Sequence, residues 1–381
     1  MIIRSYWLST RRSGLVVAAL LWVTAAGLAV AQGPSESTSS QADRDRDDSA
    51  KQGAGALMRE ADRKTKTAKS TEDYSDIIRF CEKATDGEPS PTAARYFKRL
   101  LSWAHNRRGE AFAKKAAESS EESIDEAAGK LEAQALADFE LAVKYDKTRW
   151  RAVHNRAVSH ALAGESKKAI RDLNLAIKLN PRYPNAWFNR GEVHYVLQQF
   201  SEAIDDFNQA IRLKPRDAGA YRSRGHALYR LGRHREAIQD YDQVVRMNPD
   251  SAVALVDRGD AYASLSDFDR AATDFRDAIR LDDTLGRAYQ SAAWLMATCP
   301  DDSFRNGTLA LQSAMRAIDL DGESDYRYLD TMAAAHANAG QFDQAQALMA
   351  DAIKAAPEDR VEGLEQRLAL YQADTPFRQW R

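Results

Sequence analysis

Residues 184–217 read PNAWFNRGEVHYVLQQFSEAIDDFNQAIRLKPRD, residues 218–251 read AGAYRSRGHALYRLGRHREAIQDYDQVVRMNPDS, and residues 252–285 read AVALVDRGDAYASLSDFDRAATDFRDAIRLDDTL. Each stretch is 34 residues long, and the three align without a gap. A chain that repeats one pattern at a fixed period is built from one structural unit used several times. The places that recur are Gly191, Gly225 and Gly259, then Ala203, Ala237 and Ala271, then Phe207, Tyr241 and Phe275.

The places within one repeat indicate a pair of helices. We number the places from Trp150, Pro184, Ala218 and Ala252. Places 4, 8 and 11 share one side of a helix that turns about 100° per residue. A small residue at place 8 receives a larger neighbour, and the alanine at place 20 and the apolar or aromatic residue at place 24 belong to a second helix that interlocks with the first. The proline at place 32 ends that second helix, because proline cannot continue the hydrogen-bond ladder.

This pattern resembles the tetratricopeptide repeat, over roughly Tyr74 to Ala373. The resemblance implies an all-α fold, a right-handed solenoid of helical hairpins that ends in a capping helix. A lone hairpin buries too little apolar surface to offset its ordering entropy, so neighbouring repeats must share faces. The predicted segments are an export signal over residues 1–31, a disordered linker over 32–72, irregular repeat-like helices over 73–149, four regular repeats over 150–285, two further repeats over 286–357 of which the first has an insertion, and a capping helix with a tail over 358–381.

The first residues have the composition of an export signal. Arg4, Arg11 and Arg12 precede an apolar run over residues 14–30, and Ala29 and Ala31 are the small residues that a signal peptidase requires before its cut. We therefore expect an exported protein, periplasmic or extracellular. An uncleaved N-terminal anchor is the alternative, and it would give single-anchor or peripheral membrane association.

Charge and cysteine content exclude two classes of protein. The net charge is −2, and no region carries the dense positive charge that nucleic-acid binding requires, so no nucleic-acid partner is expected. The two cysteines, Cys81 and Cys299, are far apart in sequence and fit no zinc-binding spacing. We expect both to be unpaired, buried thiols.

The sequence contains no catalytic motif. There is no HExxH, no glycine-rich phosphate loop and no GxSxG elbow, so we expect no enzyme, no catalytic residue, no metal and no cofactor. Most histidines are expected to pack in the core, because His160, His194 and His336 occupy place 11 and His234 occupies place 17. Two histidines are expected to project from the opposite side of their helices; these are His154 and His226.

A binding surface is expected at places 2, 5, 6, 9, 12 and 13, which point away from the packing stripe. The resemblance implies that this side of the first helix lines a concave groove. There an asparagine would clamp a peptide backbone, arginines would meet carboxylates and tyrosines would supply contact area. The candidate peptide-binding residues are Asn155, Phe188, Asn189, Glu192, Tyr195, Arg222, His226, Tyr229, Arg230, Asp257 and Asp260.

The function expected from these features is a non-catalytic scaffold that binds a protein or an extended peptide outside the cytoplasm. The alternatives are a structural component that assembles with itself and an enzyme without a recognisable motif. The identity of the partner and the oligomeric state cannot be read from the sequence. One regular feature is expected to be structural: the arginines at place 7, which should pair with acidic residues of adjacent helices. These are Arg156, Arg190, Arg224 and Arg258.

Overall fold

The computed structural model describes residues 55–87, 89–118, 124–322 and 325–379. Within these ranges the regular elements are all helices, which confirms the predicted all-α fold. The chain divides into two compact bodies, an N-terminal body that ends at Lys214 and a C-terminal body that begins at Pro215. The predicted export signal over residues 1–31 lies outside the described residues. In the described part of the chain, no helix combines the length and the apolar character that crossing a membrane requires.

The N-terminal body consists of helices joined by short turns. After a helical segment over residues 55–67, its helices are α1 (Thr71–Asp86), α2 (Pro91–Glu118), α3 (Ile124–Tyr145), α4 (Trp150–Leu162), α5 (Ser166–Leu179), α6 (Pro184–Val196) and α7 (Phe200–Leu213).

The C-terminal body continues the alternation of first and second helices. Its helices are α8 (Ala218–Arg230), α9 (His234–Met247), α10 (Ala252–Ser264), α11 (Phe268–Leu281), α12 (Gly286–Thr298), α13 (Gly307–Asp321), α14 (Tyr326–Asn338), α15 (Phe342–Ala355) and α16 (Glu358–Gln372). A single 3-10 turn, Asp302–Phe304, lies in the insertion between α12 and α13.

One residue pair joins the two helices of each regular repeat. A Cβ atom on Gly225 would lie 2.6 Å from Cε1 of Tyr241, which is closer than carbon atoms can approach. Glycine at place 8 thus makes room for the aromatic ring at place 24. The repeat that begins at Trp150 has Ala157 at place 8, which is larger than glycine, and Leu173 at place 24, which is smaller than an aromatic residue. Both side chains are fully buried. The volumes of the two places compensate each other, as close packing requires.

A second pair of places holds an ion pair in every regular repeat. The guanidinium of Arg258 donates through Nε and Nη2 to both carboxylate oxygens of Asp274, at 2.9 and 2.7 Å. Its Nη1 reaches Asp242 of the preceding repeat at 2.8 Å. This confirms the structural reading of the place-7 arginines. The other pairs are Arg156–Asp172, Arg190–Asp206 and Arg224–Asp240.

Both pairs recur in α2 and α3, which lie in the region where irregular repeat-like helices are predicted. Arg108 donates to both oxygens of Asp138 at 2.8 Å. A Cβ on Gly109 would lie 2.7 Å from Cε1 of Phe139, as in the regular repeats. These helices therefore form a full hairpin with the same contacts and a longer connection.

The predicted linker over residues 32–72 is wrong in its last part. Residues 55–67 are helical, Ala61 is fully buried, and the Tyr96 hydroxyl donates to the Asp62 carboxylate at 2.5 Å. The segment has few large apolar residues of its own, but Ala61 packs in a hydrophobic cluster whose other buried residues belong to α1 and α2. The remainder of the predicted linker lies outside the described residues.

The predicted capping helix and free cysteines are confirmed. In α16, Leu364 and Tyr371 are fully buried against the last repeat, which includes Met349. Cys81 and Cys299 are buried and unpaired, and burial raises the pKa of the Cys81 thiol to about 12. That thiol therefore stays protonated at neutral pH.

The expectations for the histidines are partly wrong. His160 is buried, but His194 and His336 are half-buried, and the Nδ1 of each lies 2.6 to 2.7 Å from a side-chain oxygen at place 16 in the turn. The histidine at place 11 therefore has two roles: its ring packs between the helices, and its Nδ1 forms a hydrogen bond that stabilises the turn. His154, which was expected to project outward, is 1% exposed.

Candidate functional site

The two candidate asparagines of the N-terminal body belong to a buried hydrogen-bond chain. Asn189 Nδ2 donates to His154 Nε2 at 2.9 Å, and His154 Nδ1 donates to Asn155 Oδ1 at 3.2 Å. Asn155 Nδ2 in turn donates to Asn106 at 3.1 Å and to Glu110 at 3.0 Å. The chain crosses α2, α4 and α6, the first helices of three successive repeats. These asparagines hold helices together and leave no open surface for a ligand.

Burial determines the charge of the histidine in this chain. Burial lowers the pKa of the His154 imidazole to about 4, although its hydrogen bond with Asn155 opposes this shift. A neutral ring accepts through one nitrogen and donates through the other, which is what its two asparagine neighbours require.

The other candidates of the N-terminal body are also packed within the protein. Glu192 is 5% exposed. The Phe188 ring lies 5.7 Å from the Phe207 ring, and the Tyr195 ring lies 5.4 Å from the Phe200 ring. Phe188 and Tyr195 remain half-buried, so they are the parts of this surface that a partner is able to reach.

In the C-terminal body, four candidate residues form a charge cluster with Arg287. Asp257 is 2% exposed and accepts from Arg222 at 2.6 Å and from Arg287 at 2.6 Å, with His226 Nε2 at 3.1 Å. Arg287 also donates to Asp260 at 2.8 Å. Burial alone would raise the pKa of Asp257, but the charges of Arg287, His226 and Arg222 outweigh it and hold that pKa well below its usual value. Arg222, expected to meet a partner's carboxylate, already holds one from the next repeat.

The last two candidates differ in their surroundings. The Tyr229 hydroxyl lies 3.0 Å from Ser264 Oγ, and its ring lies 4.9 Å from the His234 ring. Arg230 is exposed at the end of α8. Tyr229 therefore faces the side of α10 that carries places 2, 5, 6, 9, 12 and 13, which we call the groove places.

A cavity of about 410 Å3 opens on that side of the C-terminal body. It is lined by residues of four repeats, of α16 and of the segment after α16, and its first-helix residues all occupy places 2, 5, 6, 9, 12 or 13. Two candidates, Tyr229 and Asp260, contribute to it. The lining residues that the sequence analysis did not include are Ala263, Ser264, Phe275, Gln290, Ser291, Trp294, Arg327, Asp330, Thr331, Arg360 and Gln379.

The same places were available in the sequence of the irregular repeats. Counted from Gly286 and Tyr326, place 5 is Gln290 and Asp330, and place 9 of the first is Trp294. The candidates had been taken from the four regular repeats only. Extending the numbering across the insertion adds these residues to the candidates, whereas the cavity that they line follows only from the packing of the helices.

The cavity wall combines fixed charges with hydrogen-bonding groups. Arg367 donates to both oxygens of Asp330, at 3.0 and 2.8 Å, and Gln290 Nε2 donates to Thr331 Oγ1 at 2.9 Å. Burial raises the pKa of Asp330 although Arg367 opposes this shift. Because these polar groups are already positioned by partners, the wall is rigid and suits recognition of a chain segment. In the described ranges, no group of three or more His, Cys, Asp or Glu side chains is arranged to hold a metal ion.

These contacts define a class of protein. Helical hairpins that repeat one interlocking pair and one ion pair form a helical-repeat scaffold.

Comparison with known proteins identifies the kind of repeat. Two family models described as Tetratricopeptide repeat match residues 184–217 and 222–286, and one described as TPR repeat matches residues 159–198. The chain therefore contains tetratricopeptide repeats between residues 159 and 286, and proteins with such repeats are generally non-catalytic protein-binding scaffolds. No curated protein matches the chain.

Solved structures with partial likeness include three named proteins. MamA from Desulfovibrio magneticus RS-1 is 16% identical, with 48% of this chain and 96% of that chain covered and a TM-score of 0.42. PilF of Pseudomonas aeruginosa is 15% identical, with 61% and 96% covered and a TM-score of 0.48. Yeast Tom70 is 17% identical, with 80% and 59% covered and a TM-score of 0.46.

Proposed function

We propose that this protein is a non-catalytic scaffold that binds an extended segment of a partner protein in the cavity of its C-terminal body. The observation that carries the proposal is the alignment of the groove places from successive repeats along one open cavity. The helix faces that carry the interlocking pair and the ion pair contact neighbouring helices and are not available to a partner. The cavity face keeps polar and aromatic side chains accessible.

The dimensions of the cavity favour a peptide. Packed helices lie about 10 Å apart, so a cavity lined by four successive first helices, α8, α10, α12 and α14, spans roughly 30 Å. An extended chain covers that distance with about nine residues at roughly 3.3 Å each. Trp294 supplies a rigid aromatic surface for such a segment, and Gln290 and Thr331 supply hydrogen-bonding groups for its backbone.

The test is site-specific photo-crosslinking in cells. A photo-reactive residue at Gln290 should capture one discrete partner, and the same residue at Arg276, exposed on the second helix α11, should not. Trp294→Ala should remove the capture at position 290 while the circular dichroism of the protein is unchanged. Equal capture at both positions, or capture that survives Trp294→Ala, would contradict the proposal.

We further propose that the protein acts outside the cytoplasm, on the strength of the sequence of residues 1–31. The test is the intact mass of the protein recovered from cell fractions. A mature chain that begins near Gln32 in an extracytoplasmic fraction is the expected result. Recovery of the protein only in the cytoplasm would refute it.

A further inference from the structure

The chain returns to its own groove after the last helix. Asp374 has a positive φ of 48°, which turns the backbone after α16. Residues 375–379 then lie against α12 and α14, and the backbone N–H of Gln379 donates to the carbonyl oxygen of Thr298 at 3.0 Å.

Side chains of the returning segment make specific contacts there. Arg378 Nη1 donates to the Ala297 carbonyl oxygen and Nη2 donates to Asn338 Oδ1, both at 3.0 Å. The Phe377 ring lies 6.0 Å from the Trp294 ring. Trp294 Nε1 donates to the side-chain oxygen of Gln379.

Arg367 joins these contacts to the cavity. Its guanidinium lies 5.3 Å from the Phe377 ring and 5.8 Å from the Trp294 ring, within the range of a cation–π interaction. The same guanidinium holds Asp330 in the cavity wall.

The free carbonyls at the end of α12 have a cause in the sequence. In the repeats with a tight turn, the place-12 carbonyl accepts from the N–H of place 15, as Tyr229 does from Gly232 and Ala337 from Gly340. Place 15 of the repeat that begins at Gly286 is Pro300, which has no N–H. The Ala297 carbonyl therefore lacks its usual donor, and a guanidinium takes that place. A cation is also favoured at the carbonyl end of a helix by the helix dipole.

The contacts use groove places. Trp294, Ala297, Thr298 and Asn338 are places 9, 12, 13 and 13 of their repeats. They contribute one aromatic face, two carbonyl oxygens and one amide oxygen. That set matches a chain that presents an aromatic ring, then a guanidinium, then a backbone N–H.

We propose that the carbonyl end of α12, with Trp294 and Asn338, is a peptide-binding subsite for an aromatic residue followed by arginine. The segment Phe377–Gln379 occupies it as an internal ligand, and a partner segment of the same chemistry displaces it. This inference rests on the proposed function, because it assigns the partner's chemistry at one end of the same groove.

A labelled peptide tests the subsite on the full chain. The probe is a dye-labelled pentapeptide with the sequence Thr-Pro-Phe-Arg-Gln, and its binding is followed by fluorescence polarisation. The double substitution Phe377→Ala with Arg378→Ala should raise the affinity for the probe at least about tenfold, because the internal ligand no longer holds the subsite. Adding Asn338→Ala should lower that affinity again.

Controls separate the subsite from unspecific effects. A Thr-Pro-Ala-Ala-Gln peptide should not bind, and circular dichroism must show equal helicity for all variants. If the double variant loses helicity, Arg378→Ala alone should still raise the affinity, since it removes only the guanidinium. Equal probe affinity for the unsubstituted chain and for the folded variants, or no binding to any of them, would overturn the subsite.

The outcome is independent of the crosslinking test. A partner captured at Gln290, combined with no response to the pentapeptide, would leave the scaffold function and remove the subsite. Binding of the pentapeptide without cellular capture would support the subsite and contradict the proposed scaffold function.

Discussion

The interlock between Gly225 and Tyr241 makes a prediction about one methyl group. In Gly225→Ala the new Cβ would lie 2.6 Å from the Tyr241 ring, and ordinary contact begins near 3.4 Å, so the ring or the helix must move by about 0.8 Å. The ring is 1% exposed, so it cannot move outward into solvent without displacing the groups that cover it.

Two effects of opposite sign act at this position. Overpacking of a close-packed core destabilises by about 1–3 kcal/mol, and this site belongs at the upper end because the ring is enclosed. Alanine in place of glycine inside a helix stabilises by about 1 kcal/mol. The net expectation is a loss of about 2 kcal/mol, or roughly 4–8 °C in the midpoint of thermal unfolding.

Thermal unfolding followed by circular dichroism measures this, and Gly363→Ala is the matched control. Gly363 lies within α16 of the same body, and a Cβ there would meet nothing within 4 Å. Only the helix-propensity gain applies, so Gly363→Ala should stabilise by about 0.5–1 kcal/mol.

A second substitution tests the volume argument directly. Tyr241→Leu in the Gly225→Ala background recreates the combination that Ala157 and Leu173 form in their own repeat. The leucine should therefore be tolerated better in that background than in the unsubstituted chain, with a favourable coupling of about 0.5–3 kcal/mol. If Gly225→Ala raised the midpoint as Gly363→Ala does, the glycine would not be making room for the ring.

Three further predictions concern the buried polar groups and the turns. The pKa of His154 is about 4 in the folded chain and about 6.5 in the unfolded chain, so the unfolded chain binds more protons between these pH values. The free energy of unfolding should therefore fall by up to about 3 kcal/mol as the pH drops from 6.5 to 4. Denaturant titrations should show a smaller dependence of stability on pH for His154→Gln. Gly232 has a φ of 73° and open space around its Cβ position, so Gly232→Ala should cost about 1 kcal/mol in thermal unfolding, and an unchanged midpoint would refute this. Asp257→Asn leaves the half-buried Arg222 and Arg287 without the charge that they share and should lower stability by about 1–3 kcal/mol, whereas a loss no larger than that for an exposed aspartate would argue against the cluster.

The repeat period was sufficient for the regular hairpins. It predicted the helix pairs, the small residue at place 8 and the structural use of the place-7 arginines. It predicted irregular repeat-like helices over residues 73–149 but assigned no register to the first helix of that hairpin, because Arg108 and Asp138 are separated by 30 residues where the regular pairs are separated by 16. The dipeptides Arg108-Gly109 and Asp138-Phe139, which also occur as Arg190-Gly191 and Asp206-Phe207, were the signal available.

The candidate groove residues show a different limit. A helical period gives the direction in which a side chain leaves its helix. It does not say how far the next helix covers that side. His154 and Asn189 leave their helices as predicted and are nevertheless buried, because each is met by a polar residue of a neighbouring repeat.

Local pattern was enough for the all-α class, the hairpin unit and the capping helix, because these depend on side chains within about one helical turn or one repeat of each other. The open cavity and the returning segment at Trp294 depend on residues 294 and 379, which are 85 positions apart and share no period. Such a contact is decided by the packing of whole helices. Because Pro300 has no N–H, the Ala297 carbonyl oxygen needs another donor, and Arg378 can supply it only after the fold has brought the two residues together.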